Sequence, residues 1–230
     1  MVTIVNTVQS LRAEVAKRKA DGQKLALVPT MGALHAGHLS LVKLARQYAD
    51  AVVVTIFVNP TQFGPNEDFD KYPRQTQQDI ALLEKEKAEV AFLPMVEEMY
   101  PQGFATTVSV SPQLTSRLCG AHRPGHFDGV TTVVSKLLLQ AQADVAIFGE
   151  KDYQQLQVIR RMVIDLDIPT QIIGAPIARE VDGLAMSSRN AYLTANERVV
   201  APRLQEILQE TAEFIFRHSR ESGNLVPKTP

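Results

Sequence analysis

The amino-acid sequence predicts an α/β protein: a parallel sheet with helices on both faces, followed by a smaller carboxy-terminal domain. Three observations lead there. Short β-branched runs without polar alternation recur along most of the chain, as in strands buried on both sides. Segments with apolar residues at helical spacing stand between them. Near Pro176 this alternation gives way to a polar stretch and one more helical segment. The expected boundaries are 1–176 for the sheet domain, 177–216 for a partial carboxy-terminal lid domain, and 217–230 for an atypical disordered tail.

The elements follow in order. Residues 24–28 (KLALV) read as a strand that stops before Pro29. Residues 38–48 read as a helix with Leu41, Leu44, Ala45 and Tyr48 on one face. Residues 51–58 (AVVVTIFV) suit a central strand. A helix is expected over 77–87 and a strand over 90–93. Val130, Val133, Val134, Leu137, Leu138 and Ala141 form a helical stripe, with Asp128 as its expected cap. Residues 145–148 and 171–173 read as strands around a helix over 153–166. Residues 179–190 are loop-like. Thr194 and Glu197 make a capping box, and the helix after it carries Val200, Leu204, Ile207, Leu208, Thr211 and Ile215. From Arg217 onward periodicity stops.

Composition narrows the function classes. A chain of 230 residues buries a core without disulfide or metal staples. With 24 basic and 25 acidic side chains the formal charge is −1, which offers no general attraction for nucleic acid or anionic lipid. Anion binding must then come from a local site. Cys119 is the sole cysteine, so a disulfide framework is excluded and a reducing compartment fits. The amino end has no long apolar run, and the longest apolar stretches are too short to span a bilayer. The expectation is a cytoplasmic protein without nucleic-acid or membrane partners.

Parallel sheets bind ligands beyond the carboxyl ends of their strands. The expected strands ending at Val28, Val58 and Phe148 are followed by Pro-Thr-Met-Gly, Asn-Pro-Thr-Gln and Gly-Glu-Lys-Asp. The first leads into His35-Ala36-Gly37-His38 at a helix start, where free N–H groups, Gly32 and Gly37 suit a phosphate. The same residues also read as a turn with solvated histidines, and both readings stay open. Zinc held by His35, His38, His122 and His126 is a third; the Gly- and Pro-containing loops and the lack of Cys or carboxylate in either motif weigh against it. Lys151 stands at a helix amino end, where a cation opposes the helix dipole and so needs a reason, whereas Asp152 there reads as a cap. Ser187, Ser188 and Arg189 suit phosphates or an ordinary turn. Asn59 and Gln62 suit a small polar substrate or loop hydrogen bonding.

Taken together, PTMGALHAGH, FVNPTQF, RPGHFDGV, FGEKDYQQL and MSSRN occur in the order seen in the pantoate–β-alanine ligases, and the chain resembles that family from about residue 25 to about residue 216. H-x-G-H alone marks only the wider nucleotidylyltransferase superfamily; the ordered five are specific. The resemblance implies a Rossmann-like domain with a small carboxy-terminal domain, in a homodimer. It implies ATP with Mg²⁺, pantoate and β-alanine as ligands, and a pantoyl adenylate on the way to pantothenate, AMP and pyrophosphate. It gives His35, His38, Lys151 and Arg189 the catalytic role. Met31, Gly32, Gly37, Gly149, Asp152, Ala178, Met186, Ser187 and Ser188 join them around ATP. Gln62 and Gln155 resemble the pair that hydrogen-bonds pantoate, near Asn59. Val130, Val133 and Val134 resemble an apolar wall for its gem-dimethyl group, while Arg123 and His126 match a substrate-binding loop near the phosphates. Asp79 is the carboxylate expected beside the metal. The family continues several dozen residues further, so an incomplete carboxy-terminal domain is expected. Another adenylyl-transfer enzyme, or a nucleotide-binding protein without turnover, are the competing readings.

Overall fold

Residues 51–56 show why the strands lack polar alternation. Ala51 and Val53 point into one hydrophobic core, and Val52 and Val54 into another on the opposite face. Both faces of the sheet are covered, so the strand is apolar on both sides as far as Val54. This computed structural model describes residues 1–65 and 67–221, with side chains as far as His218. It divides into two compact units, Met1–Ile177 and Ala178–Pro230.

The first unit contains six strands: β1 (Thr3–Val5), β2 (Leu25–Thr30), β3 (Ala51–Ile56), β4 (Val90–Phe92), β5 (Val145–Gly149) and β6 (Gln171–Ala175). They form one sheet in the order β1-β4-β3-β2-β5-β6, with every neighbouring pair parallel. The helices are α1 (Val8–Ala20), α2 (Ala36–Ala45), α3 (Thr76–Lys85), the short α4 (Val96–Met99), α5 (Pro112–Thr115) and α6 (Cys119–His122), then α7 (His126–Ala141) and α8 (Tyr153–Asp165). Helices α1, α7 and α8 pack one core, through residues such as Leu11, Leu138 and Ile159. Helices α2 and α3 close the other through Val42, Ala45 and Leu83. Leu27, at 0% exposure, is central to the first; truncating such a leucine to alanine costs about 2–5 kcal/mol.

Strand β2 lies between β3 and β5. The chain leaves β2 toward β3 on one side and later returns to pair β5 on the other. This is a topological switch point, where the loops after adjacent strands splay apart and leave a crevice. The loops after β2 and β5 carry the H-x-G-H and G-E-K-D segments.

Several elements differ from expectation. Strand β2 continues through Pro29, which pairs in register with Thr55. Pairing of β2 with β5 covers only Ala26 and Leu27, so the absent N–H of Pro29 falls where that ladder has ended. Strand β1 and helix α1 escape the sequence reading, because three strand residues and a stripe of Leu11 and Val15 carry little periodic signal. Helix α2 starts at Ala36 rather than at residue 38. Asp128 does not cap α7: the helix begins at His126, after Gly125, and Asp128 sits in its first turn.

The second unit opens with a tight turn in which Arg179 and Ala185 form an antiparallel bridge, where the sequence suggested only a loop. The capping box of Thr194 and Glu197 is present and starts α9 (Ala195–Val200). The single helix expected from there is two, because Pro202 interrupts it before α10 (Arg203–Glu221). Helix α10 carries through residues 217–221, which were expected in the tail; the remainder of that expected tail, 222–230, lies outside the described residues.

Candidate functional site

The loop after β2 is held from below. Asp79, on the first turn of α3 and 1% exposed, accepts the backbone N–H of Ala33 at 3.0 Å and of Leu34 at 2.8 Å, one on each carboxylate oxygen. Gly32 has φ of +82°, and a Cβ there would lie 3.0 Å from the Asp79 carboxylate and from Ile56; only glycine fits this close approach. Burial raises the Asp79 pKa above its ordinary value, opposed by the two backbone bonds. The carboxylate expected to meet a metal therefore has another task. Each of its oxygens accepts one backbone amide, which anchors the histidine loop to α3.

This anchored loop delivers His35 and His38 as a reciprocal cap on α2. Nδ1 of His35 accepts the N–H of Gly37 at 3.1 Å, and Nδ1 of His38 accepts the N–H of His35 at 3.3 Å. A backbone N–H can only donate, so both Nδ1 atoms are acceptors and each neutral ring carries its proton on Nε2. Burial, then His35, then the charge of Lys151, together hold the His38 pKa down to about 3. His38 is thus a neutral donor at physiological pH. The Lys151 charge is felt at His38, and β2 and β5, which these segments follow, are neighbours in the sheet.

Lys151 follows β5 in the turn Glu150–Asp152 and is 3.6 Å from Asp152. Both side chains are open to solvent, so this pair contributes little to stability. Asp152 stands at the cap position of α8, but its side chain makes no capping bond there. The cation stands at a helix amino end, with its charge felt at His38, where an anionic ligand would offset its cost.

After β3, Asn59 is 1% exposed and surrounded by partners. Its Nδ2 donates to the carbonyl of Gly129 at 3.2 Å and to Oε1 of Gln62 at 3.0 Å. Its Oδ1 accepts from Tyr100 Oη at 2.8 Å and from the backbone N–H and hydroxyl of Thr61. With its polar atoms so occupied, Asn59 orients Gln62 and is not itself available to a substrate. Gly129 permits this contact: a Cβ there would lie 2.2 Å from the Thr61 carbonyl oxygen. Arg123 donates through Nε to Glu67 at 2.7 Å and through Nη2 to the Gln62 carbonyl at 3.1 Å. Nδ1 of His126 meets the same carbonyl at 2.9 Å. The Arg123 guanidinium beside Glu67 holds that carboxyl below the usual range. Arg123 and His126 thus brace the turn that carries Gln62. Val130, Val133 and Val134 are 1%, 4% and 5% exposed and carry α7 into the core, which accounts for their helical spacing. Gln155 is half-buried on the first turn of α8.

The sequence profile described as pantoate-beta-alanine ligase matches residues 3–227. A pantothenate synthetase of Paramagnetospirillum magneticum is 58% identical over 98% of this chain and 79% of its own. The crystal structure of pantothenate synthetase from Thermus thermophilus has a TM-score of 0.90 at 50% identity, over 94% of this chain and 77% of that one. A pantoate-beta-alanine ligase from Francisella tularensis, crystallised with beta-gamma ATP and beta-alanine, has a TM-score of 0.83 at 42% identity, over 91% and 80% of the two chains.

The chain belongs to the pantoate–β-alanine ligase family.

In this ligase the residues of the second unit that the sequence singled out are Ala178, Met186, Ser187, Ser188 and Arg189. Met186 N–H donates to the Ala178 carbonyl at 3.0 Å, so these two residues meet across the turn. Ser187 Oγ accepts the Arg189 N–H at 3.2 Å and caps the turn Ser188–Tyr192. Among the described residues no group of three His, Cys, Asp or Glu side chains is placed to hold a metal ion. The zinc reading fails on geometry: the histidines form no ligand group among the described residues, Nδ1 of His35 and of His38 accept backbone N–H groups, and Nε2 of His126 faces Arg123 Nη1 at 3.1 Å. No described helix is long and apolar enough to cross a membrane. Sequence reasoning missed Tyr100 and Glu67, which lie outside the recognised motifs, and did not foresee the bonds that Asn59 and Asp79 make within the protein.

Proposed function

We infer that this ligase condenses pantoate with β-alanine at the expense of ATP, through a pantoyl adenylate formed on the β2–β5 rim. What supports the reading is that the β2 loop carrying His35 and His38 and the β5 loop carrying Lys151 follow adjacent strands at the switch point, with the Lys151 charge felt at His38. Neutral Nε2–H donors and a cation converge there at the amino ends of two helices, which suits a triphosphate.

The pantoate carboxylate needs no general base, since an acid with a pKa near ~4 is ionised at neutral pH. It attacks the α-phosphorus, a P–O bond to pyrophosphate breaks, and charge grows on oxygens that His35, His38 and Lys151 can meet. Arg189, with Ser187 and Ser188, is assigned to the triphosphate on the strength of the MSSRN motif, and Met31, Gly32, Gly37, Gly149 and Asp152 to the nucleotide. Mg²⁺ enters as part of the Mg–ATP substrate, ligated by phosphate oxygens; no step requires a protein carboxylate on it. The neutral amine of β-alanine then attacks the acyl carbon, the C–O bond to AMP breaks, and the amine proton leaves to solvent or substrate phosphate. The mixed anhydride is hydrolysable, so exclusion of water protects it. Gln62 and Gln155 hold pantoate. The exposed single Cys119 is consistent with a reducing, cytoplasmic setting, and a homodimer completes the proposal.

Pantoate-dependent exchange of labelled pyrophosphate into ATP, followed by addition of β-alanine, tests this. Exchange with pantoate alone and pantothenate after β-alanine is the expected result. Exchange driven instead by a phosphate-bearing acceptor, or ATP binding without exchange, would overturn it.

A further inference from the structure

We propose that Tyr100 is a positioning residue for substrate recognition: bonding Asn59, it strengthens the hold that keeps the Gln62 side chain with its NH₂ group toward the bound acid. This rests on the reading of Gln62 as a pantoate contact.

The orientation follows from groups that have only one possible role. The Gly129 carbonyl can only accept, so the Asn59 atom 3.2 Å from it is the amide nitrogen. The Thr61 N–H can only donate, so the Asn59 atom 3.3 Å from it is the oxygen. With Asn59 settled at both ends, its second amide hydrogen is directed to Gln62 at 3.0 Å, and Gln62 must answer with Oε1. The Gln62 nitrogen, with two N–H groups, is then the end left for a ligand. A carboxylate or hydroxyl oxygen is the acceptor that such an end selects; the reversed amide would repel it.

Tyr100 completes the arrangement. Its hydroxyl donates to Asn59 Oδ1 at 2.8 Å, the shortest of the three bonds to that oxygen. Its ring is held by Phe57 and Phe104, with centroids 6.2 and 5.1 Å away, and it stands directly after α4, on a segment distant in sequence from every motif of the site. Burial pushes the phenol pKa up, which keeps it a neutral donor. The hydroxyl also lies 3.5 Å from Thr61 Oγ1, a longer contact than that to Asn59; Phe would keep the ring packing.

The test is a double-mutant cycle of Tyr100→Phe and Gln62→Ala, read by calorimetric binding of pantoate and by steady-state kinetics on the full chain. Tyr100→Phe should weaken pantoate binding about three- to tenfold, the worth of one hydrogen bond, with kcat and the ATP KM unchanged. In the Gln62→Ala background the same substitution should have no further effect, because no amide is left to orient. An equal loss in both backgrounds would show Tyr100 to be merely structural and overturn the proposal, as would unaltered pantoate binding in Tyr100→Phe alone. If Gln62→Ala itself leaves pantoate binding intact, the substrate-contact reading of Gln62 fails first, and this inference with it.

Discussion

The carboxylate of Asp79 accepts the backbone N–H of Leu34 at 2.8 Å, and its other oxygen takes Ala33. These bonds tie α3 to the loop that presents the two histidines. Asp79→Asn replaces one acceptor with a donor and leaves a buried N–H unpaired, at a cost of about 1–3 kcal/mol. For a chain of this size that lowers Tm by about 2–10 °C. The KM for ATP should rise as the loop loosens. Thermal denaturation and initial-rate kinetics check both; an unchanged Tm together with loss of metal dependence would restore Asp79 to the metal.

His38 should not titrate in the physiological range. Its folded pKa of about 3 lies below the ordinary value of 6.5. Between those values the unfolded chain binds a proton that the folded chain refuses. The sign is therefore that stability is full above pH 6.5 and falls as the solution is acidified, by up to about 1.4 kcal/mol per pH unit for this group. Histidine NMR should show the His38 ring neutral, with its proton on Nε2, from pH 8 to 5. Denaturant unfolding of His38→Gln should show a flatter acid limb. A ring midpoint near 6.5 would refute the assignment.

Adenylation should depend on His38 more than substrate binding does. His38→Ala removes a donor whose value is realised as charge develops, and pyrophosphate exchange should fall by about 10²–10³-fold. Equilibrium binding of ATP should change far less. Exchange at the parental rate would remove His38 from the reaction.

Gln155 should discriminate between the substrates. Gln155→Ala is expected to raise the pantoate KM by about tenfold or more, the loss of a hydrogen bond to a charged group, while the ATP KM stays near its parental value. Equal effects on both substrates, measured by varying each at saturation of the other, would argue against a contact with the acid.

Much of the fold was legible because both faces of the sheet are covered. Unbroken runs such as AVVVTI identify doubly buried strands without any tertiary information. The site motifs were equally legible where chemistry is local: His35 and His38 cap their own helix, and Lys151 follows its own strand. Strand β1 was not, because three residues at a sheet edge carry no usable period.

The sequence by itself determined the alternation of strands and helices, the family, and the histidine, lysine and glutamine positions, since each depends on spacing within a few residues. Tertiary structure decided what buried polar groups do. Asn59 and Asp79 look like ligand-binding side chains until the partners arriving from Gly129, Tyr100, Ala33 and Leu34 are seen, 41 to 70 residues away along the chain. A buried amide or carboxylate must satisfy its hydrogen bonds where it lies, and which groups satisfy them depends on contacts that no local pattern records.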